Sequence, residues 1–126
     1  MTESPIEEVQ DIHLVIKQNN HLVGTLLLHP CSENFIQIKQ VALSPACQGQ
    51  GLGRQLMVYA EQIARDLNYS TIFLTGRKQA WGFYEKLGYS ELMEAYQEDE
   101  LILKVFKKQI NETIYFTNKK EMKTNG

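Results

Sequence analysis

The sequence predicts an α+β domain in which a mixed, curved sheet carries helices on its faces. Three observations support this prediction. Three β-like runs come first, an amphipathic helix pattern then separates two apolar runs, and 126 residues suffice for one modest core. The order strand-strand-strand-helix-strand-helix-strand-strand places antiparallel neighbours before a single crossover between parallel strands.

The first half of this order consists of three runs rich in aliphatic side chains. These predicted strands cover residues 12–17, 22–28 and 35–43. Asn19 and Asn20 lie between the first two runs and tolerate positive φ, which favours a tight hairpin.

The third run contains an irregularity. Ile36 and Ile38 are apolar on one parity, whereas Val41 and Leu43 are apolar on the other. Because side chains alternate between the two faces of a strand, a slip of one residue predicts a β-bulge.

The second half contains two predicted helices. Residues 52–67 place their apolar side chains on one stripe, which is typical of a helix packed on a sheet. Residues 71–75 are nearly all apolar, as in a buried central strand. Residues 78–87 predict a shorter helix that Gly88 would end in the left-handed conformation. The remaining predicted strands are 89–96, 101–106 and, at an edge, 113–116.

Composition and charge narrow the class of protein. The formal net charge is −2 and no apolar run approaches the roughly 20 residues that span a membrane, so neither nucleic acid nor a membrane is an expected partner. Cys31 and Cys47 lack metal-ligand spacing and a disulfide framework, which predicts no metal site and a cytoplasmic location. The lysine-rich residues 104–126 are either a solvated tail or a docking segment.

A glycine-rich turn between the third strand and the first helix is the strongest functional signal. Residues 48–53 read Gln-Gly-Gln-Gly-Leu-Gly. Glycine lets the backbone turn sharply, and a helix start offers free N–H groups to phosphate. No Lys-Ser/Thr follows, as a Walker loop requires, and the glycine spacing and topology differ from those of a dinucleotide fold.

Two motifs together identify a family resemblance. The first is Gln-x-x-Gly-x-Gly at Gln48, Gly51 and Gly53, after Val-Ala-Leu-Ser-Pro at 41–45. The second is Ala-Trp-Gly-Phe-Tyr-Glu-Lys-Leu-Gly-Tyr at 80–89. With both, the chain resembles the GCN5-related N-acetyltransferases, here called GNAT proteins.

The resemblance also implies how the chain is organised. It implies a single domain over residues 1–126, with a core at about 12–107 and a C-terminal extension at 108–126. The front of the chain offers little room for the strand and two helices that open most members, so these are expected to be reduced. The acceptor pocket would then be open or completed by a second subunit, which makes a homodimer the expected state.

The resemblance further implies acetyl-CoA as the acyl donor, bound where the sheet opens beyond residues 35–43. The pantetheine arm would pair with this strand as an extra strand, and the amides of 48–54 would bind the pyrophosphate. Tyr84 would be the general acid for the departing thiolate; taken alone, it could equally be a core aromatic. The predicted donor-binding residues are Val41, Ala42, Leu43, Gln48, Gly49, Gln50, Gly51, Leu52, Gly53, Arg54, Arg77, Ala80 and Phe83.

The acceptor is expected to be a primary amine of a small molecule or a protein. Its general base stays unassigned, because residues 35–43 contain no carboxylate and His13, His29 and Glu33 are the nearest candidates. An acidic group would either attract cationic amines or form an ordinary solvated face. Its members are Glu91, Glu94, Glu98, Asp99 and Glu100.

Two other functions stay open at this point. One is a non-catalytic acyl-CoA-binding or regulatory module, which the reduced front and the unassigned base would suit. The other is a nucleotide-binding protein, which would bind ATP or GTP rather than CoA.

Overall fold

The computed structural model describes residues 10–47, 49 and 51–111. Within them the strands are β1 Ile12–Gln18, β2 His21–Pro30, β3 Phe35–Leu43, β4 Thr71–Arg77, β5 Ser90–Glu91, β6 Tyr96–Glu98 and β7 Leu101–Gln109. The helices are α1 Leu52–Asp66 and α2 Trp81–Lys86, and 3-10 turns lie at Pro45–Cys47 and Lys78–Ala80. The edge strand predicted at 113–116 falls outside the described residues.

One mixed sheet organises these elements. The strand order is β1-β2-β3-β4-β7-β5, with β6 also paired to β7. Only the β3–β4 pair is parallel among the described strands, and α1 forms the crossover between them. This confirms the predicted α+β class with its mixed sheet and flanking helices.

The first hairpin has the predicted turn. Gln18 pairs with His21, and the two residues between them have φ values of 50° for Asn19 and 67° for Asn20. Two positive φ values in a two-residue loop are typical of a type I′ turn, which matches the twist of the flanking strands.

The bulge in β3 is also present. Thr25 pairs with Ala42 and Leu27 with Lys39, so β3 has one more residue than β2 in this stretch. Gln40 adopts a φ of 55° there. A bulge of this kind bends the strand and increases its local twist.

The bulge keeps the apolar residues of β3 on the core side. Ile36 and Ile38 precede it and are buried, and Val41 beyond it packs against the same core cluster. If the same residues formed a regular strand with no bulge, Val41 would point to the opposite face.

The main core lies between the sheet and α1. Helix α1 packs on β1, β2 and β3, and α2 packs on β4. Side chains on the opposite face of the sheet are more exposed, including Val15 and Phe35. The largest fully buried side chains are Phe106, Leu26, Leu28, Ile36, Leu56, Met57, Ile72, Leu74 and Ile110.

The second half of the chain differs from the prediction in detail. The helix predicted over 78–87 is a 3-10 turn followed by α2, which begins at Trp81. The strand predicted over 89–96 is divided into β5 and β6, since the Leu92 amide bonds to Val105 whereas Tyr96 pairs with Leu103. The four-residue step from Leu92 to Tyr96 thus faces a two-residue step from Val105 to Leu103 on β7, and the residues between β5 and β6 loop out of the sheet.

The last strand also extends further along the chain than predicted. Strand β7 continues to Gln109, and Ile110 is fully buried. The strand predicted over 101–106 is thus three residues longer at its C-terminal end, while the domain bounds stay a prediction. No helix within the described residues is long and apolar enough to cross a membrane.

Candidate active site

The sheet opens between β3 and β4. These strands pair at three positions only, from Phe35–Thr71 to Gln37–Phe73, and diverge beyond them. The bulge at Gln40 follows directly, where it turns β3 away. The opening, here called the splay cavity, has a volume of about 690 Å³. Its lining residues are Gln37, Ile38, Lys39, Gln40, Val41, Leu74, Thr75, Gly76, Arg77, Gln79, Ala80 and Tyr84.

A second cavity, here called the loop cavity, lies beside the glycine-rich turn and has a volume of about 560 Å³. Its lining residues are Val41, Leu43, Gly49, Gly51, Gly53, Arg54, Gln79, Ala80, Phe83 and Tyr84. Val41, Gln79, Ala80 and Tyr84 line both cavities, which therefore adjoin.

The start of α1 has the geometry of an anion site. Gly49 and Gly51 have φ values of 88° and 79°, which favour glycine. The Gln55 amide donates to the Gly51 carbonyl at 3.1 Å, so the preceding amides of the first turn have no intrahelical acceptor. The first turn contains no acidic side chain, and Arg54 adds a positive charge. A Cβ on Gly49 or Gly51 would meet no atom within 4 Å, which leaves open space beside these amides.

The third glycine of the turn has a packing role that the sequence analysis did not assign. A Cβ on Gly53 would lie 3.1 Å from Leu43 Cδ1 and 3.4 Å from Phe83 Cζ. Glycine at this position therefore lets α1 approach β3 and α2 closely, which brings the two sides of the loop cavity together.

Tyr84 lies where the two cavities meet. Its side chain is 8% exposed, and its ring has edge contacts with Phe83 and Tyr89. Its hydroxyl forms no hydrogen bond with the residues that the structure describes. Burial raises the pKa of Tyr84 above 10.0, so it remains a neutral phenol able to donate a proton.

Gly76 determines how closely Tyr84 approaches β4. A Cβ on Gly76 would lie 2.9 Å from Cε2 and 3.0 Å from Cδ2 of the Tyr84 ring. The Trp81 indole also donates to the Gly76 carbonyl at 2.8 Å, which anchors the start of α2 to this strand. The sequence analysis missed this glycine, although its place directly after an apolar strand was an available signal.

A buried ionic cluster supports the same region and was also missed. Glu61 on α1 is 5% exposed. Its carboxylate accepts hydrogen bonds from Tyr89 Oη at 2.8 Å and from Lys108 Nζ at 3.0 Å. Lys108 also donates to the Leu87 carbonyl at 2.7 Å, and Arg65 lies 3.8 Å from the carboxylate. The cluster therefore joins α1, the end of α2 and β7.

The Glu61 cluster reaches Tyr84 through one ring contact. The centroids of Tyr84 and Tyr89 are 6.2 Å apart, in edge geometry. Burial first, and then the Glu61 carboxylate, raises the pKa of Tyr89 far above its ordinary value, so its hydroxyl stays a donor. The position of Glu61 four residues after Met57, on the buried side of α1, was a signal that sequence alone offered.

Most predicted donor-binding residues lie around the two cavities. Val41, Leu43, Gly49, Gly51, Gly53, Arg54, Ala80 and Phe83 line the loop cavity, and Arg77 lines the splay cavity.

The other members of that set are placed differently. Ala42 is exposed on β3 and Leu52 is buried against a small apolar cluster, so their backbone groups alone would face a ligand. Gln48 and Gln50 lie outside the described residues. The binding roles of all these residues stay predictions.

The candidate groups for the acceptor side lie elsewhere. His13, His29 and Glu33 do not line either cavity in the described part of the chain, although His29 Nδ1 is 2.7 Å from Asp11 Oδ1. The five acidic residues at 91–100 are exposed and also outside the cavity linings. Glu91 forms an ion pair with Lys104 at 2.7 Å.

Comparison with known proteins gives one consistent family. A family profile described as "Acetyltransferase (GNAT) family" matches residues 2–89. A relative in Bacillus subtilis, the uncharacterized protein YyaT, is 26% identical over 102 residues, covering 81% of this chain and 68% of its own length.

Solved structures agree with that match. An acyl-CoA N-acyltransferase from Pseudomonas aeruginosa has a TM-score of 0.70 and 29% identity, over 77% of this chain and 67% of the other. A GNAT family acetyltransferase from Elizabethkingia anophelis, solved with acetyl-CoA bound, has a TM-score of 0.68 and 20% identity, over 77% and 74%. At 20% identity, the match to this second structure is evidence for a shared fold alone. Three of the curated relatives that it matches are covered over only 58% to 68% of their own length.

Proposed function

The chain belongs to the acetyltransferase (GNAT) family, and we propose that it is an acetyl-CoA-dependent N-acetyltransferase. It transfers an acetyl group directly to a primary amine of a small molecule or a protein. The observation that carries this proposal is the position of Tyr84, a buried neutral phenol that lines both cavities.

The loop cavity suits the donor. The free amides at the start of α1, with Arg54 beside them, would bind the pyrophosphate. Beyond Gln37 the edge of β3 has no strand partner on the β4 side, so its backbone groups are available to the pantetheine arm. The bound donor supplies a thioester whose carbonyl is open to attack by an amine.

Tyr84 would complete the transfer. The amine nitrogen forms a bond to the thioester carbonyl carbon while the C–S bond breaks. The Tyr84 hydroxyl donates its proton to the departing sulfur, and the proton that the amine loses goes to water. With a pKa that burial raises above 10.0, the Tyr84 phenol is protonated at neutral pH, and after the step its phenolate regains a proton from water.

A thiol-release assay with acetyl-CoA and a panel of amines tests this proposal. We expect Tyr84→Phe to lower kcat by about 100-fold, the usual contribution of a general acid, while CoA affinity measured by calorimetry stays within about twofold. The matched control is Tyr59→Phe, since Tyr59 is 57% exposed on α1 and lines neither cavity. Full turnover in Tyr84→Phe would remove Tyr84 from the reaction.

The second candidate is a non-catalytic acyl-CoA-binding module. The observation that favours it is that no carboxylate or histidine lines either cavity among the described residues, so no base for the amine stands there. This function predicts that CoA raises the melting temperature whereas no amine releases thiol. Stabilisation by ATP or GTP instead of CoA would point to a nucleotide-binding protein.

The proposal includes a cytoplasmic homodimer. Both described cysteines are free, as in a reducing compartment, and the exposed Val15 and Phe35 lie on the sheet face away from α1. We expect light scattering to give twice the chain mass, and a chain lacking residues 112–126 to give less. This deletion begins after Ile110, because Lys108 and Ile110 belong to the core. A monomer mass for the full chain would exclude the dimer.

A further inference from the structure

The charges that line the splay cavity all have one sign. Lys39 and Arg77 are its charged residues in the described part of the chain, and no aspartate or glutamate joins them. The other polar side chains of the lining are the uncharged Gln37, Gln40, Thr75 and Gln79, with the Tyr84 phenol. An acceptor that enters this cavity therefore meets a positive potential.

Lys39 differs from the other half-buried lysines. Three lysines of the described chain are half-buried, namely Lys39, Lys104 and Lys108. Lys104 pairs with Glu91 at 2.7 Å, and Lys108 pairs with Glu61 at 3.0 Å. Lys39 forms no ion pair with any described residue. Because no described residue neutralises Lys39, its ammonium is available to an anionic group of a ligand that enters the cavity.

The phosphates of the donor are poorly placed to supply that anion. They would lie at the start of α1, in the loop cavity, which Lys39 does not line. The pantetheine arm and the acetyl group between the two cavities carry no charge. An anionic ligand group that meets Lys39 would therefore belong to the other substrate.

We propose that the acceptor is an amine that also carries an anionic group, a carboxylate or a phosphate, and that Lys39 binds this group. The inference rests on the proposed function. Two cations beside the amine also favour its neutral, nucleophilic form, because a nearby like charge disfavours the ammonium. That effect suits a cavity whose described lining holds no carboxylate or histidine base.

The first test compares pairs of amines in which one member carries an anionic group and the other lacks it. Phenylalanine and its carboxamide form one pair, phosphoethanolamine and ethanolamine form another, and spermidine represents a purely cationic amine. We expect kcat/KM to be at least about tenfold higher for an anionic member than for its neutral partner, with spermidine poorest. The carboxamide has the less basic amine, so amine protonation cannot produce this preference. The two pairs distinguish a carboxylate from a phosphate.

The second test assigns the preference to Lys39. In Lys39→Gln we expect KM for the preferred anionic acceptor to rise by about tenfold or more, KM for its neutral partner to rise far less, and Lys39→Arg to restore most of the loss. Lys17→Gln is the matched control, since Lys17 is an exposed strand lysine outside both cavity linings. Calorimetric titration of the acceptor into the protein with CoA bound gives the same comparison without turnover.

The outcomes separate this inference from the function beneath it. If CoA binds but no amine releases thiol, the proposed acetyltransferase function is refuted, and the inference about the acceptor, which rests on it, is refuted as well. Thiol release that is equal or faster with neutral or cationic amines overturns the inference and leaves the acetyltransferase intact. An anionic preference that survives in Lys39→Gln overturns the role of Lys39.

Discussion

The loop cavity and the splay cavity adjoin at Tyr84, yet they are built in opposite ways. The loop cavity takes six of its ten lining residues from the short segment 41–54, and three of these six are glycines, which present backbone groups only. The splay cavity takes its lining from β3, β4 and the segment before α2, and offers side chains such as Lys39 and Arg77. Donor binding would thus depend mainly on one short segment of the chain, whereas selection of an acceptor would depend on side chains that the fold brings together from distant segments.

The largest expected effect is on CoA binding in the loop cavity. We expect Gly51→Val to abolish measurable CoA binding, because valine is strained at a φ of 79° and its side chain would fill the space beside the free amides. The backbone strain should lower the melting temperature by several degrees, with the protein still folded at about 25 °C. The matched control is Gly82→Ala, a helical glycine with open space and no positive φ, which should bind CoA normally. Normal CoA affinity in Gly51→Val, measured by calorimetry, would contradict the assignment of the donor to the loop cavity.

The next effect should appear in turnover. Gly76→Ala places a methyl group 2.9 Å from the Tyr84 ring, so the ring must move away from the meeting point of the cavities. We expect kcat to fall by about 10- to 100-fold, as for other small misplacements of a reacting group, with CoA affinity changed by less than about threefold. Steady-state kinetics and calorimetry measure the two quantities. If kcat and CoA affinity fell by similar factors, the substitution would be disturbing both cavities and not the position of Tyr84 alone.

A third effect concerns stability. Glu61→Gln removes the buried anion that Lys108 and Tyr89 contact. We expect the free energy of unfolding to fall by about 2 kcal/mol, less than for a fully buried pair because Lys108 is partly exposed. Urea denaturation measures this change, and Glu85→Gln on the exposed side of α2 is the control. Unchanged stability would show that the cluster contributes nothing to joining α1 and β7.

The smallest effect is a pH dependence. Burial raises the pKa values of Tyr84 and Tyr89 above 10.0, so above about pH 10 the unfolded chain releases protons that the folded chain keeps. Stability should therefore be complete below pH 10 and decline as the pH rises further. In Tyr89→Phe the decline should be shallower by up to about 1.4 kcal/mol per pH unit.

Melting temperatures between pH 9 and 11 measure this slope. Comparing slopes separates the titration from the hydrogen bond to Glu61 that Tyr89→Phe also removes. Tyr59→Phe, which changes an exposed ring, should keep the slope of the unchanged protein. An unaltered slope in Tyr89→Phe would show that this phenol does not titrate differently on unfolding.

The sequence predicted the features that short local segments form, as in the loop cavity, better than those that distant segments form together. The hairpin at Asn19 and Asn20, the bulge in 35–43 and the glycine turn before α1 depend on local conformational preference, and the structure contains the first two as predicted. The pairing of the two motifs identified the family, which the profile match confirms. These signals lie within short windows, where residue type and spacing carry the information.

The features that sequence missed depend on residues far apart in the chain. Glu61 and Lys108 meet only because α1 and β7 pack together, and Gly76 matters only because Tyr84 lies against it. The division of the strand predicted at 89–96 likewise results from its register on β7. The acidic residues of that segment were considered for the acceptor side, yet Glu91 binds Lys104 instead.

The bulge at Gln40 has a consequence for the length of this part of the chain. It turns Val41 and Leu43 to the core side and sets the angle at which the chain enters the glycine turn. Deleting one residue at this point would remove the bulge, so that Val41 and Leu43 stay on the core side but the strand loses the bend that turns it away from β4. The strand should thus accept many exchanges of amino acid, but no inserted or deleted codon, because its residue count is what aligns the two cavities.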